Sequence, residues 1–374
     1  MPPFSAYDHE FMSRAIRLAK KGLNTAQPNP RVGCVITKNN MIVGEGWHKK
    51  AGEAHAEINA LLQAGSEAKG ATVYVTLEPC CHTGKTPPCT DSLIKAGVAR
   101  VVAAMQDPHD KVAGQGFEKL KQAGIEVQTG LLEEQARLLN PGFIKRMQQG
   151  LPFVRVKMAM SVDGRTAMAS GESKWITGEA ARHDVHQWRA RSSAMLTGIG
   201  TILHDDPSLT MRLGNPVLEH AGMHTDNLQP LRVILDSELK LSATAKVIQQ
   251  RGDVLVFSNS TDELKITSLE KVGVKVMYIE KDTNGLDLQA ILKYLASLQI
   301  NEVMVEAGAN LAGSFVTADL VDELIIYMAP VLMGNNARGL FNLPLIRQMS
   351  DKIQLNIKEI RQFGEDIRII VTLS

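Results

Sequence analysis

Large aromatic side chains are scarce in this chain, at 5% of 374 residues. It therefore has few flat platforms on which nucleic-acid bases stack. Charge of one sign is lacking too. The formal net charge is +1, which excludes the broad basic face of a nucleic-acid binder and gives no general pull toward an anionic membrane. No apolar run reaches the roughly 18 residues of a membrane-spanning helix. Met1 to Glu10 have no basic segment followed by an apolar one, so no secretory signal is read there. Cysteine is rare, and four unevenly spaced Cys do not frame a disulfide scaffold. These absences lead to the expectation of a cytoplasmic protein with no nucleic-acid or membrane partner. What is present is a hydrophobic content of 44%, enough to fill two sizeable cores, and a length that suits about two domains.

The few Cys are placed in a way that outweighs their number. Cys80, Cys81 and Cys89 fall within ten residues, and Cys80 and Cys89 each follow a Pro. Upstream stands His55-Ala56-Glu57. One His and two Cys make three ligands for a soft Lewis-acidic metal and leave the fourth tetrahedral position open for water. Zinc lowers the pKa of such a water to about 7. Glu57, two residues from the ligand His, is placed to carry its protons. This is the H-x-E…P-C-x-x-C arrangement of zinc nucleobase deaminases, with one departure: eight residues, Cys81 to Pro88, separate the two ligand Cys. Cys34, within the apolar run Val32 to Ile36, reads as core. Cys81 lacks a preceding Pro and receives no ligand role.

The periodicity places these residues on elements. Apolar positions at helical spacing predict a helix over 8–22, with Gly22 suited to its C-cap. Arg31 to Thr37 and Met41 to Trp47 read as strands joined by a hairpin at Asn39-Asn40. Ala54 to Leu62 reads as a helix with His55 and Glu57 near its start. Ala71 to Thr76 and Arg100 to Met105 read as strands, and Cys89 to Ala96, Phe117 to Ala123 and Glu133 to Arg146 as helices. Strands alternating with helices predict a largely parallel α/β/α sandwich. The boundary falls near Gln148 to Pro152, giving domains 1–149 and 150–374.

The second half is again α/β, with strands at Phe153 to Met158, Leu231 to Leu235, Val254 to Phe257, Val274 to Ile279, Glu302 to Glu306, Glu323 to Pro330 and Ile367 to Thr372, and a helix over 287–299. His204 to Gln229 reads as a long polar loop. Val303 to Ser314 is strand, glycine turn, helix. Gly308 would let a phosphate approach free N–H groups at the helix start, but the turn lacks G-x-G-x-x-G, so no standard Rossmann site is supported. Thr197 to Thr201 form a second glycine turn. Arg189 and Arg212 are candidate phosphate ligands. Lys157 is either a group that polarises or protonates a substrate or an inert strand lysine.

Together these stretches resemble the bifunctional riboflavin-biosynthesis deaminase–reductases over essentially the whole chain. The carriers in the first half are Pro28-Asn29-Pro30-Arg31-Val32-Gly33, Gly46-Trp47-His48, His55-Ala56-Glu57 and Thr76 to Cys89. In the second half they are Ser161 to Ala167, Trp175-Ile176-Thr177, Asp205 to Thr210 and Val305-Glu306-Ala307-Gly308. In this family the longer spacer between ligand Cys is usual. The resemblance implies a cytidine-deaminase-like α/β/α sandwich followed by a dihydrofolate-reductase-like α/β domain. It implies zinc held by His55, Cys80 and Cys89, with Glu57 as proton carrier, and a substrate pocket lined by Asn29, His48, His82 and Lys85. Asp107-Pro108 also matches a family loop, whereas His109 departs from the Asn expected there. For the second half it implies NADPH at Ala159, Trp175, Thr201, Asp205 and the run Gly308, Ala309, Asn310, Leu311, Ala312, Gly313 and Ser314. Substrate contacts would come from Ser173, Arg189, Leu209, Arg212 and Glu306. The substrate would be a phosphoribosyl pyrimidine, and family precedent favours a dimer or tetramer. Two alternatives stand beside this. One is a nucleoside or nucleic-acid deaminase with a structural second half. The other is a non-catalytic zinc-stabilised scaffold.

Overall fold

Asn39 and Asn40 both adopt left-handed backbone, at φ 51° and 58°, the geometry a two-residue hairpin needs to match the twist of its strands. They join β1 (Gly33–Lys38) to β2 (Met41–Trp47), with Lys38 opposite Met41. The chain is described here from a computed structural model covering residues 4–82, 87–109, 113–212, 229–282 and 285–374. It divides into two compact units, Met1–Leu151 and Pro152–Ser374.

In the first unit, α1 (Ala6–Ala19) precedes the hairpin. After it come α2 (Ala56–Ala64), β3 (Thr72–Val75), α3 (Cys89–Ala96), β4 (Arg100–Ala103), α4 (Gln115–Gln122), β5 (Glu126–Thr129), α5 (Glu133–Arg137) and α6 (Pro141–Gln149). The sheet order is β2-β1-β3-β4-β5. β1 runs antiparallel to both its neighbours, and only β3, β4 and β5 are parallel. The largely parallel sheet expected from the sequence is thus mixed, because the two-residue turn permits only an antiparallel return. The single helix expected over 133–146 is two helices. Pro141 has no N–H to continue the first and starts the second.

α1 and α2 lie close on β1 and β2 because glycine lines the contact. A Cβ on Gly33 would sit 2.0 Å from the Ala15 carbonyl oxygen, and one on Gly46 would sit 2.2 Å from that of Ala56. Gly22, expected as a helix C-cap, has another role. The α-helix ends at Lys20, and a Cβ on Gly22 would meet the His48 carbonyl oxygen at 2.8 Å.

The second unit begins with β6 (Phe153–Ser161) and β7 (Arg165–Ala167). Then follow α7 (Glu179–Arg191), β8 (Ala194–Gly198), α8 (Ile199–Asp205), β9 (Leu231–Leu235), β10 (Val254–Ser258), α9 (Glu263–Glu270), β11 (Val274–Tyr278), β12 (Lys281–Asp282) and β13 (Gly285–Leu286). The chain ends with α10 (Leu288–Ser297), β14 (Glu302–Glu306), α11 (Ala309–Thr317), β15 (Glu323–Ala329), β16 (Arg338–Gly339), β17 (Leu355–Phe363) and β18 (Asp366–Leu373). Nine strands form one sheet in the order β11-β10-β9-β8-β14-β6-β15-β18-β17. β11 through β15 are parallel, and β18 and β17 run antiparallel at the end. All five residues of β10 are buried, as for a parallel strand covered on both faces. β17 is the opposite case, with eight of its nine residues exposed. Its mixed polar sequence gave no strand signal. Glu302 and Arg155 are fully buried at the starts of β14 and β6 and pair with each other. Of the expected polar loop 204–229, positions 213–228 lie outside the described residues.

Candidate functional site

His55 is the N-cap residue of α2, with extended backbone and no side-chain cap bond. It turns toward two sulfurs. His55 Nδ1 lies 3.3 Å from Cys89 Sγ and 3.6 Å from Cys80 Sγ, and the three donor atoms lie within 4.8 Å of one another. Four-coordinate zinc with bonds of 2.0–2.3 Å requires donor separations of about 3.5–3.8 Å, so the triangle fits the ion. Cys89 is the first residue of α3, and its N–H points at Cys80 Sγ at 3.4 Å. The Cys89 thiol and the neighbouring His55 hold Cys80 well below the usual thiol range, although burial opposes this. A thiolate is what a metal ligand must be.

Glu57 stands on the first turn of α2, 3% exposed. Burial, with the negative Cys80 adding to it, pushes its carboxyl up to about 7. His48 lies edge-on to His55, with ring centroids 5.2 Å apart. Its Nδ1 donates to the Ala54 carbonyl at 3.2 Å, which leaves Nε2 to accept from Asn29 Nδ2 at 3.1 Å. Both ring nitrogens are thus engaged within the protein, and burial holds the ring's pKa below its ordinary value. The structure brings Asn29 and His48 to the His55 side of the triangle. His82 is exposed, and Lys85 lies outside the described residues. Cys34 is buried in β1, and Cys81 Sγ reaches only Gln115 at 4.0 Å. Sequence reasoning gave no role to Glu78, which is buried and clamps backbone around the ligand loop. Its place directly before Pro79-Cys80 was the available signal.

In the second unit the C-terminal ends of β6, β8 and β14 meet. Glu306 ends β14 directly opposite Lys157 of β6. Arg189 of α7 grips Glu306 with two parallel bonds of 2.7 and 2.8 Å and donates to the Thr210 carbonyl at 3.0 Å. Burial would raise the Glu306 carboxyl, but Arg189 holds it at about 2. Burial pushes Lys157 down, while Glu306 opposes that shift. Arg189 is therefore committed to protein partners, whereas the Arg212 side chain is exposed. Leu209 is buried with left-handed backbone at φ 49°, so that stretch offers main chain. Ser173 Oγ donates to Asp205 Oδ1 at 3.2 Å at the last residue of α8, and Thr201 lies in the first turn of that helix. Trp175 is 72% exposed, with Arg182 4.7 Å from its ring. Gly308 caps α11 with open space where a Cβ would be, so the first turn is approachable. Ala312 and Gly313 face the other way. Both are buried, and a Cβ on Gly313 would strike the Asn342 carbonyl oxygen at 2.1 Å. Ala159 is half-buried in β6. No described helix is long and apolar enough to cross a membrane.

Comparison with known proteins covers both units. The family described as cytidine and deoxycytidylate deaminase zinc-binding region matches residues 5–105. The RibD C-terminal domain matches residues 152–369. The riboflavin biosynthesis protein RibD of Haemophilus influenzae is 50% identical over 374 residues, spanning 100% of this chain and 99% of its own. That of Escherichia coli K12 is 48% identical over 362 residues, 96% of this chain and 98% of its own. Among solved structures, Acinetobacter baumannii RibD superposes with a TM-score of 0.90 at 46% identity, covering 98% of this chain and 99% of that one. The diaminohydroxyphosphoribosylaminopyrimidine deaminase/5-amino-6-(5-phosphoribosylamino)uracil reductase of Thermotoga maritima gives 0.85 at 34% identity, with the same coverage.

Proposed function

Since this chain belongs to the RibD family of bifunctional riboflavin-biosynthesis enzymes, we propose how its own residues divide the two reactions. The enzyme is a zinc-dependent deaminase and an NADPH-dependent reductase acting on a small phosphoribosyl pyrimidine. It hydrolyses the 2-amino group from 2,5-diamino-6-(5-phosphoribosylamino)pyrimidin-4(3H)-one, releasing ammonia. It then reduces the ribosyl group to give 5-amino-6-(5-phosphoribitylamino)uracil. We assign the first reaction to residues 1–149 and the second to 150–374.

The observation that carries the assignment is the triangle of His55 Nδ1, Cys80 Sγ and Cys89 Sγ beside the buried Glu57. These three side chains would hold zinc, which when bound supplies Lewis-acid activation of water at neutral pH. Glu57 is the proton carrier. A carboxyl accepts a proton as the carboxylate and donates it once protonated. It takes one proton from the attacking water and delivers it to the ring nitrogen, then takes the second from the new hydroxyl on the carbon bearing the amine and passes it to the departing amine, so that a ring carbonyl and ammonia remain. His48 keeps the Asn29 amide in one orientation toward the ring. His82 and Lys85 complete the substrate contacts.

In the reductase half, NADPH when bound would supply the hydride that reduces C1 of the ribosyl group. Gly308, Ala309, Asn310, Leu311, Ala312, Gly313 and Ser314, with Ala159, Trp175, Thr201 and Asp205, are assigned to cofactor binding. Free N–H groups at the first turn of α11 suit a phosphate. Ser173, Leu209, Arg212, Glu306 and Arg189 are assigned to the substrate, Arg189 through its hold on Glu306. Lys157, desolvated and opposite Glu306, is placed to polarise or protonate the reacting sugar. The chain is assigned to the cytoplasm as a homo-oligomer, a dimer or tetramer, which sedimentation would test.

The test is a paired assay on zinc-loaded protein given the diaminopyrimidine ribosyl phosphate. Ammonia release followed by NADPH oxidation is the expected order. Turnover of cytidine or guanine at a comparable rate would overturn the substrate assignment.

A further inference from the structure

Glu78 is a buried carboxylate, 5% exposed, that accepts four backbone N–H groups. Oε2 takes those of Asp107 at 3.1 Å and Gly114 at 2.9 Å. Oε1 takes those of Gly116 at 2.8 Å and Phe117 at 3.4 Å. Gly116 and Phe117 belong to the first turn of α4, so the charge also lies at that helix's positive end. The carboxylate thereby fastens two separate stretches, one at Asp107 and one at 114–117, to the strand end that leads into Pro79-Cys80.

Two further observations tie this clamp to the site. Pro79 follows directly, and its fixed φ leaves little slack between Glu78 and Cys80. The contact there is tight from the other side as well. A Cβ on Gly116 would lie 2.2 Å from the Pro79 carbonyl oxygen and 3.0 Å from Glu78 Oε1. At the far end, the Asp107 carboxyl accepts the His109 N–H at 2.8 Å and lies within electrostatic reach of His82. One side chain therefore links a metal ligand to the stretch facing a substrate-pocket histidine.

We propose that Glu78 is a positioning residue of the deaminase, setting the spacing between the Cys80 side of the metal triangle and the Asp107–His82 side of the pocket. This rests on the deaminase reading of the His55, Cys80 and Cys89 site. Misplacing a positioned group by about 1 Å can cost on the order of a hundredfold even when the change lies far from the chemistry. Because Glu78 touches neither the reacting atoms nor the metal-donor atoms, the loss falls on substrate fit.

The experiment uses two full-chain variants that disturb the clamp from opposite sides. Glu78→Gln replaces one acceptor oxygen with an NH2 that faces backbone donors. Gly116→Ala displaces Pro79 and leaves every charge in place. Both should raise KM for the diaminopyrimidine by about tenfold or more and change kcat by less than about threefold. Zinc should stay at one ion per chain by elemental analysis, and reduction of directly supplied deaminated intermediate should keep its rate. An unchanged KM in either variant overturns the proposal. So does loss of zinc or unfolding of the first unit in either, which would make the clamp structural support alone. If the unsubstituted chain released no ammonia, the deaminase reading itself would fail; ammonia release with indifferent variants removes only the role of Glu78.

Discussion

Glu57 owes its protonation behaviour mainly to burial: a carboxyl denied water holds its proton to about 7. Glu57→Gln keeps the shape and removes the proton exchange. Deamination should fall by about a hundredfold or more, measured as ammonia release, while zinc content stays unchanged. Lost zinc with partial activity would contradict the assignment. Glu306 shows the reverse balance, because Arg189 overrides burial and holds the carboxyl at about 2. Its folded pKa lies below its ordinary value near 4.5. The stabilisation is therefore complete above that value and is lost as the pH falls from there through about 2. Hydrogen exchange at the β14 amides should show this loss in the unsubstituted chain. Glu306→Gln should be less protected at neutral pH, with Arg189 left buried without its partner, and should lack the acid-dependent component.

Elements differ in how clearly the sequence announces them. β2, α3, β9 and β14 begin and end where apolar pattern, Asn-Asn turn or Pro-Cys boundary puts them. β17 escaped detection because an exposed edge strand has no buried row to enforce alternation. Pro141 marks the break between α5 and α6 in the sequence, but the apolar spacing on both sides of it is helical. The metal triangle was legible because ligand chemistry restricts residue types and spacing. Glu78 was not, since accepting backbone N–H groups leaves no partner residue to recognise. The packing role of Gly33 and Gly46 likewise has no sequence pattern of its own, because it is set by the carbonyl groups of helices that lie against them. Gly46→Ala should force α2 away from β2 by pressing on the Ala56 carbonyl. The expected cost is about 2–3 kcal/mol in denaturant unfolding, and deamination should drop with it because His55 and Glu57 ride on α2.

At the scale of the whole molecule, each unit has its own sheet, and each reaction is assigned to side chains of one unit. The reductase should therefore not need a working deaminase. The Glu57→Gln chain, given the already deaminated phosphoribosyl uracil, should oxidise NADPH at the unsubstituted rate. A large fall would show that reduction depends on the zinc site. The two sheets also impose different timetables during synthesis. The first unit's strands pair with near neighbours in sequence and can close once Leu151 has been made. β6 is the first strand of its unit, yet its partners are β14 and β15. At ribosomal speeds of about 5–20 residues per second, its apolar row waits on the order of ten seconds for Glu302 to Ala329 to emerge. A nascent chain stalled before Glu302 should resist protease up to Leu151 and be cut beyond it, which makes the second half the part that relies on chaperones.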